Sequence, residues 1–252
     1  MPKRNGGKNR HPPFQPYWER AASFLSLAQA LNMASRINEH QQLPPSVSLT
    51  LTAPLVRAFR ERFPKATLCV LEGLSTYVLE WLTIGRADCA VVYTVPTSSG
   101  VELAPVLNEQ LYLVSGRGAG ASSTDPSNYD EVSLAEVAER NLVMPSRPHS
   151  IRMLVEATMA QASLKPRIAL EIESIPAILT LVRDEGVHAI LSLKAVRSSG
   201  REGDFHVRPI RKPTLETTLW IATSAQRPRG PLLNQTVPLL QSLLRDHWTI
   251  GV

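Results

Sequence analysis

From residue 48 onward the chain alternates between two hydrophobic periods. In "LTAPLVRAFRERF" (51–63), Leu51, Leu55, Phe59 and Phe63 fall four apart, the spacing of one apolar helix face. Pro54 lacks the N–H a helix interior needs and fits only a first turn, so the helix is expected to start close to it. "PKATLCVLE" (64–72) predicts a turn and a strand, and "GLSTYVLEWLTIG" (73–85) a short helix with Ser75 as N-cap and Gly85 just past its end. "ADCAVVY" (87–93) is almost continuously apolar, as in a strand covered on both faces of a parallel sheet. The order helix, strand, helix, strand over 48–93 is βαβ-type organisation.

"VPTSSG" (95–100) predicts a loop, and "VELAPVL" (101–107) and "QLYLVS" (110–115) predict two strands. "GRGAGASSTDPSNYDE" (116–131), rich in glycine and serine, is the clearest internal break. Its Gly-x-Gly-x-Gly opens no helix and reads as a connection rather than a phosphate loop. A second α/β set follows: helix 133–140 with the Ser133/Glu136 capping-box spacing, strand 141–145, helix 150–162, strand 167–172, helix 175–186 and strand 188–193. A loop and strand (201–213), a strand (216–224) and a closing helix (230–248), bent at Pro238, complete it.

Composition narrows the class. The 252 residues are 43% hydrophobic and 19% charged, enough for one large α/β domain or two lobes with a real core. The net charge of +5 permits anionic partners without requiring nucleic acid, and Lys3, Arg4, Lys8 and Arg10 place part of it in a basic tail. Cys69 and Cys89 lie in apolar strand candidates and read as buried free thiols in a reducing cytoplasm. No apolar run reaches the length of a membrane span. "AASFLSLAQA" (21–30) has a faint signal-peptide pattern, but Glu19 and Arg20 abut it.

Candidate chemistry points to binding. There is no Gly-x-Ser-x-Gly elbow, no His-Glu-x-x-His and no Walker loop, and the six histidines are scattered; no catalytic, metal or cofactor set is expected. Glu171 and Glu173 in "EIES" read as a solvated strand end. What recurs is a strand end followed by small polar residues opening a helix: "PPSVSLT" (44–50), "MPSRPHS" (144–150) and "EIESIPA" (171–177). In open α/β sheets such openings face a crevice and offer N–H groups with a positive dipole end. Ser46, Ser48, Ser146 and Ser174 add hydroxyls and Arg147 a charge suited to a carboxylate or phosphate, although each serine alone is ordinary capping.

"LPPSVSLTLTAPLVRAFRERFP", "LCVLEGLSTYVLEWLTIGRADCAVVY", "LVMPSRPHSIRMLVEA" and "ALEIESIPAILTLVRDEGVHAILS" together resemble the effector-binding domain of LysR-type transcriptional regulators, in particular the nitrogen-assimilation-control branch. The resemblance covers roughly 43–250. It implies an α/β fold of two Rossmann-like lobes with type-2 periplasmic-binding-protein topology. Lobe one would be 43–115 plus 219–252 and lobe two 116–218, joined by crossing strands "QLYLVS" and "TTLWIAT". It also implies a small, polar or anionic effector between the lobes, touched by Ser46, Val47 and Ser48, by Ser146, Arg147 and His149, and by Ser174 and Ile175. Effector-responsive control of transcription and a homodimer or larger assembly through the lobe-one helices 48–63 and 230–247 follow from the same resemblance.

The chain departs from the family at its start. Residues 1–42 form a basic tail and a possible helix-turn-helix remnant, "RAASFLSLAQALNMASRINEHQQL" (20–43), without wing or linker helix; its own DNA binding is therefore in doubt. Residues 23–37 read equally as a plain amphipathic helix. The family's apolar first strand is replaced by "NEHQQ" (38–42), whose burial would leave polar groups unpaired at ~1–3 kcal/mol each, so the sheet is expected either to lack this strand or to tolerate a poor one. The alternative is a secreted periplasmic-type solute-binding protein; an enzyme on this scaffold is not expected.

Overall fold

The polar run "NEHQQL" is a central strand. β1 (Asn38–Leu43) pairs in parallel with β2 (Thr67–Glu72) on one side and β3 (Cys89–Val92) on the other. The computed structural model describes residues 38–93, 100–117 and 130–249. The basic tail, the helix read at 23–37, most of the signal-like and remnant segments, and the bulk of the glycine-rich break lie outside the described residues.

β1 tolerates its polarity by pairing it. Glu39, Gln41 and Gln42 are buried, at 3%, 0% and 0% exposure. Gln41 Nε2 donates to Glu39 Oε1 at 3.0 Å, and Gln42 Nε2 donates to the Gly73 carbonyl at 2.5 Å. His40 N–H donates to Asp88 Oδ2 at 2.9 Å, and the Asp88 N–H returns to the His40 carbonyl at 2.9 Å. The amide oxygens of Gln41 and Gln42 remain without a partner. The cost anticipated from the sequence therefore falls on two atoms rather than four side chains. Gly73 is part of this solution, because a Cβ there would meet Gln42 Nε2 at 3.0 Å and the Trp81 ring at 3.3 Å.

The apolar stripe over 51–63 lies on a longer helix than predicted. α1 (Pro45–Arg62) starts with Pro45 in its first turn and carries Pro54 in its interior. Val47, Leu51, Leu55 and Phe59 are all buried along one face. The anchoring of both halves by that face offsets the ~3 kcal/mol cost of an interior proline. α2 (Ser75–Ile84) ends at Gly85 in the left-handed region (φ 77°), as expected; Ser75 is its first residue rather than its cap, and its hydroxyl accepts the Tyr93 N–H at 3.2 Å.

The two strands predicted over 101–115 are one. β4 (Val101–Gly116) runs 16 residues and is shared by both lobes. Val101–Gln110 pairs antiparallel with β10 (Glu216–Ser224), which also pairs with β3. Leu111–Gly116 pairs antiparallel with β8 (Ala189–Ser192) and β9 (Phe205–Arg211). β5 (Val132–Ser133) joins β9 in parallel, and β6 (Leu142–Met144) pairs with β7 (Ile168–Glu171). Backbone bonds from Val143 N–H to the His188 carbonyl and from His188 N–H to the Asn141 carbonyl tie β6 to β8. Two five-residue helices, α3 (Leu134–Ala138) and α6 (Leu193–Arg197), and the longer α4 (Ser150–Gln161), α5 (Ile175–Asp184) and α7 (Pro231–Thr249) complete the layers. The Ser133/Glu136 capping box is present at α3. The cores divide accordingly: Leu43, Leu51, Leu55, Val91, Leu219 and Leu240 share one, Leu113, Val137, Met144, Val155 and Met159 another. Cys89 is buried and Cys69, on the edge strand β2, is half-buried, so only one thiol is as enclosed as predicted.

Candidate effector cleft

The carboxyl ends of β1, β2 and β3 and of β6, β7 and β8 open onto one cavity of about 320 Å³. One wall comes from Pro44, Pro45 and Ser46 at the opening of α1, Glu72, Gly73 and Leu74 before α2, and Tyr93 after β3. The other comes from Pro145, His149 and Ile151 at α4, Glu173, Ile175 and Ile178 at α5, and Ile190, Leu191, Ser192 and Ala195 at β8 and α6. Most of this lining is aliphatic, with a few polar atoms placed among it, the composition of a site that recognises a small organic molecule.

The floor is a hydrogen-bonded chain. Ser46 Oγ lies 2.6 Å from the Tyr93 hydroxyl, which donates to Glu109 Oε2 at 3.3 Å. Trp248 Nε1–H, from the end of α7, donates to Glu109 Oε1 at 2.7 Å. The Ser192 hydroxyl also bonds Glu109. Glu109 sits on β4 and is buried, which pushes its carboxyl above the usual carboxylate range against the pull of these donors and of Lys194. Burial likewise raises the Tyr93 hydroxyl, with the Glu109 charge adding to it.

Of the residues expected to touch an effector, Ser46, His149 and Ile175 line the cavity. Val47 is buried in the first-lobe core, and Ser48 bonds Thr52 Oγ1 at 3.0 Å along the helix. Ser146 gives both its N–H, at 2.9 Å, and its hydroxyl to Glu173 Oε1. Arg147 has a 66% exposed side chain whose Nε donates to Glu156 at 2.8 Å, away from the cavity lining. Ser174 is the N-cap residue of α5 but makes no side-chain cap bond. His149 caps α4: its Nδ1 accepts the Ile151 N–H at 3.2 Å, which puts the ring proton on Nε2. Burial holds its pKa below the usual histidine value, keeping it neutral.

No binding role was read from the sequence for Glu72, Glu173, Glu109 or Tyr93. Glu173 is exposed just past a strand end, as read, and is in addition an acceptor for the neighbouring turn and part of the cavity wall. Glu109 lay in the gap between two supposed strands, where a single acidic residue flanked by apolar runs was the available signal. Tyr93, the last residue of "ADCAVVY", carries the polar end of an otherwise apolar strand into the cleft.

Two α/β lobes sharing crossing strands, with a ligand-sized cavity at their facing strand ends, define a periplasmic-binding-protein-like sensor domain. Residues 42–245 match the family described as the LysR substrate binding domain, and the chain belongs to that family. Over 201 residues it is 27% identical to the nitrogen assimilation regulatory protein nac of Klebsiella aerogenes, covering 80% of this chain and 63% of that protein. The chain thus spans less than two thirds of that relative's length. Its fold is similar to the Synechocystis CcmR regulatory domain in complex with 2-PG, with TM-score 0.71 and 13% identity over 82% of this chain and 97% of that one. It is also similar to the effector binding domain of QuiR in complex with shikimate, with TM-score 0.69 and 18% identity over 84% of this chain and 99% of that one. Among the described residues no helix is long and apolar enough to cross a membrane.

Proposed function

We propose that this chain is the effector-reading portion of a LysR-type transcriptional regulator and that it controls transcription by binding a small organic molecule between its lobes. The cavity walled by both lobes carries the reading: a ligand there touches α1 and α2 on one side and α4, α5 and α6 on the other, so it favours one lobe geometry over another. The lobes are 43–115 with 219–252 and 116–218, a division supported by the separate cores and by the crossing of β4 and β10. Ser46, His149 and Ile175 contact the effector directly. Ser146, Arg147, Ser174, Val47 and Ser48 shape or support the walls. The protein is cytoplasmic, acts without catalysis, and pairs with a second copy through α1 and α7.

The test is a thermal-denaturation screen of the full chain against a broad metabolite panel. A true effector raises Tm with its concentration, following RT ln(1 + [L]/Kd). The Ile178→Arg variant, which fills the cavity wall with charge, abolishes that response. A panel that never moves the wild-type Tm refutes the reading. DNA contact by the same chain is read by salt titration on its own upstream sequence: binding that ignores sequence and vanishes with salt is phosphate contact by basic residues only.

A further inference from the structure

Several of the donors at the helix openings that suggested an anion are already spent within the chain. At α1, Pro45 has no N–H, and the N–H groups of Val47 and Ser48 both go to the Pro44 carbonyl at 3.0 and 2.8 Å. At α4, the Ile151 N–H goes to His149 Nδ1 at 3.2 Å, and Ser146 spends its N–H and hydroxyl on Glu173. At α5, Pro176 in the first turn again has no N–H to give.

Charge points the same way. Among the described residues the charged side chains lining the cavity are Glu72 on one wall and Glu173 on the other; no lysine or arginine lines it. The nearby arginines are committed, Arg147 to Glu156 at 2.8 Å and buried Arg152 to Glu156 at 2.5 Å, Glu171 at 3.2 Å and the Pro145 carbonyl at 3.1 Å, while Lys194 lies over the Trp248 ring beside Glu109 and does not line the cavity. The floor is polarised toward accepting as well. Glu109 collects donors from Tyr93, Trp248 and Ser192, so the Tyr93 proton points to Glu109. Ser46 then donates to the Tyr93 oxygen and turns its remaining lone pair to the cleft.

Building on the effector reading above, we infer that the effector is an amine: an apolar body sized for the aliphatic cavity, bearing a cationic nitrogen that Glu72 and Glu173 attract from opposite walls and Ser46 accepts from. A carboxylate meets two like charges and reaches the Ser146 donors only by displacing Glu173. An ammonium needs no displacement and draws the two walls together.

The experiment is titration of the full chain, by calorimetry and thermal denaturation, with three probes of one shape: cyclohexylmethylammonium, cyclohexylmethanol and cyclohexanecarboxylate. The ammonium binds tightest, by about five-fold or more over the alcohol, the factor one partly exposed ion pair supplies. The carboxylate binds weakest. Glu173→Gln and Glu72→Gln each cut the ammonium's advantage over the alcohol by about five-fold. Both carboxylates are exposed, so neither change threatens folding. Tightest binding by the carboxylate in the wild-type chain overturns the inference and leaves the effector cleft standing. Silence from all three probes also overturns it, and the metabolite panel then decides the effector reading separately.

Discussion

The Tyr93 hydroxyl donates to Glu109 Oε2 at 3.3 Å, joining the end of a first-lobe strand to the strand that both lobes share. Because Trp248 and Ser192 donate to the same carboxylate, one side chain gathers the cleft floor, the second lobe and α7. Replacing Glu109 by alanine strands three donors in a buried place. Urea denaturation is expected to show a loss of about 2–4 kcal/mol. Glu109→Gln keeps an acceptor and costs less, about 1 kcal/mol. Equal stabilities for wild type and the alanine variant would sink this account of the floor.

Arg152 is the corresponding tie on the second wall. It fastens α4 to the Pro145 carbonyl and pairs with Glu156 and Glu171 while itself buried. Arg152→Met keeps the volume but removes every bond. The expected loss is about 3 kcal/mol in chemical denaturation, since two carboxylates lose their shared partner.

Stability should decline with rising pH because of the central strand. Burial, with the Asp88 charge beside it, lifts the Glu39 carboxyl to about 7 from its ordinary 4.5. The folded chain then holds a proton that the unfolded chain releases between those values. Unfolding gains from each step up in pH, and the stabilisation is fully present only below 4.5. His40, raised by its bond to Asp88, acts in the same direction around its own higher range. Asp88, lowered mainly by that bond against its burial, opposes them only at acid pH. Glu39→Gln should therefore flatten the fall in Tm between pH 5 and 8 and gain about 1–2 kcal/mol at pH 8, the shift discounted for partial screening. A variant with an unchanged pH profile would remove Glu39 from the explanation.

Pro54 offers the opposite sign. It interrupts the ladder of α1 while the face below it stays buried. Pro54→Ala restores an N–H for the Thr50 carbonyl at a half-buried position, and a gain of about 1 kcal/mol is expected in the unfolding midpoint.

What could be read in advance, and what could not, follows from how far apart the deciding residues lie. The stripe of Leu51, Leu55 and Phe59 and the Ser133/Glu136 box are local patterns, and both form as read. Ser46 was legible as a local strand-end and helix-start pattern, while His149 and Ile175 were named through the family resemblance; all three line the cavity. Glu173 could not be placed that way. Its role depends on Ser146, 27 residues earlier, and on the pairing of β6 with β7 that brings the two turns together. Arg147 shows the converse: a plausible charge beside a helix opening is captured by Glu156, about two turns into the helix that follows. β1 stayed one of two alternatives because apolar content was the strand signal, whereas its partners Gly73, Asp88 and Leu43 lie outside its polar run.

The polarity of β1 means that the strand is held by its ladders to β2 and β3 and by the side-chain bonds of His40, Gln41 and Gln42 rather than by apolar burial alone. Because it runs straight into Pro44 and Ser46, the effector wall is completed only when it is seated. The amide hydrogens of His40, Gln41 and Gln42 should accordingly exchange faster than those of Ala90 and Val91, and slow once a ligand occupies the cleft. The strand that carries polar side chains into the middle of the sheet is the one that leads straight into the wall of the cleft.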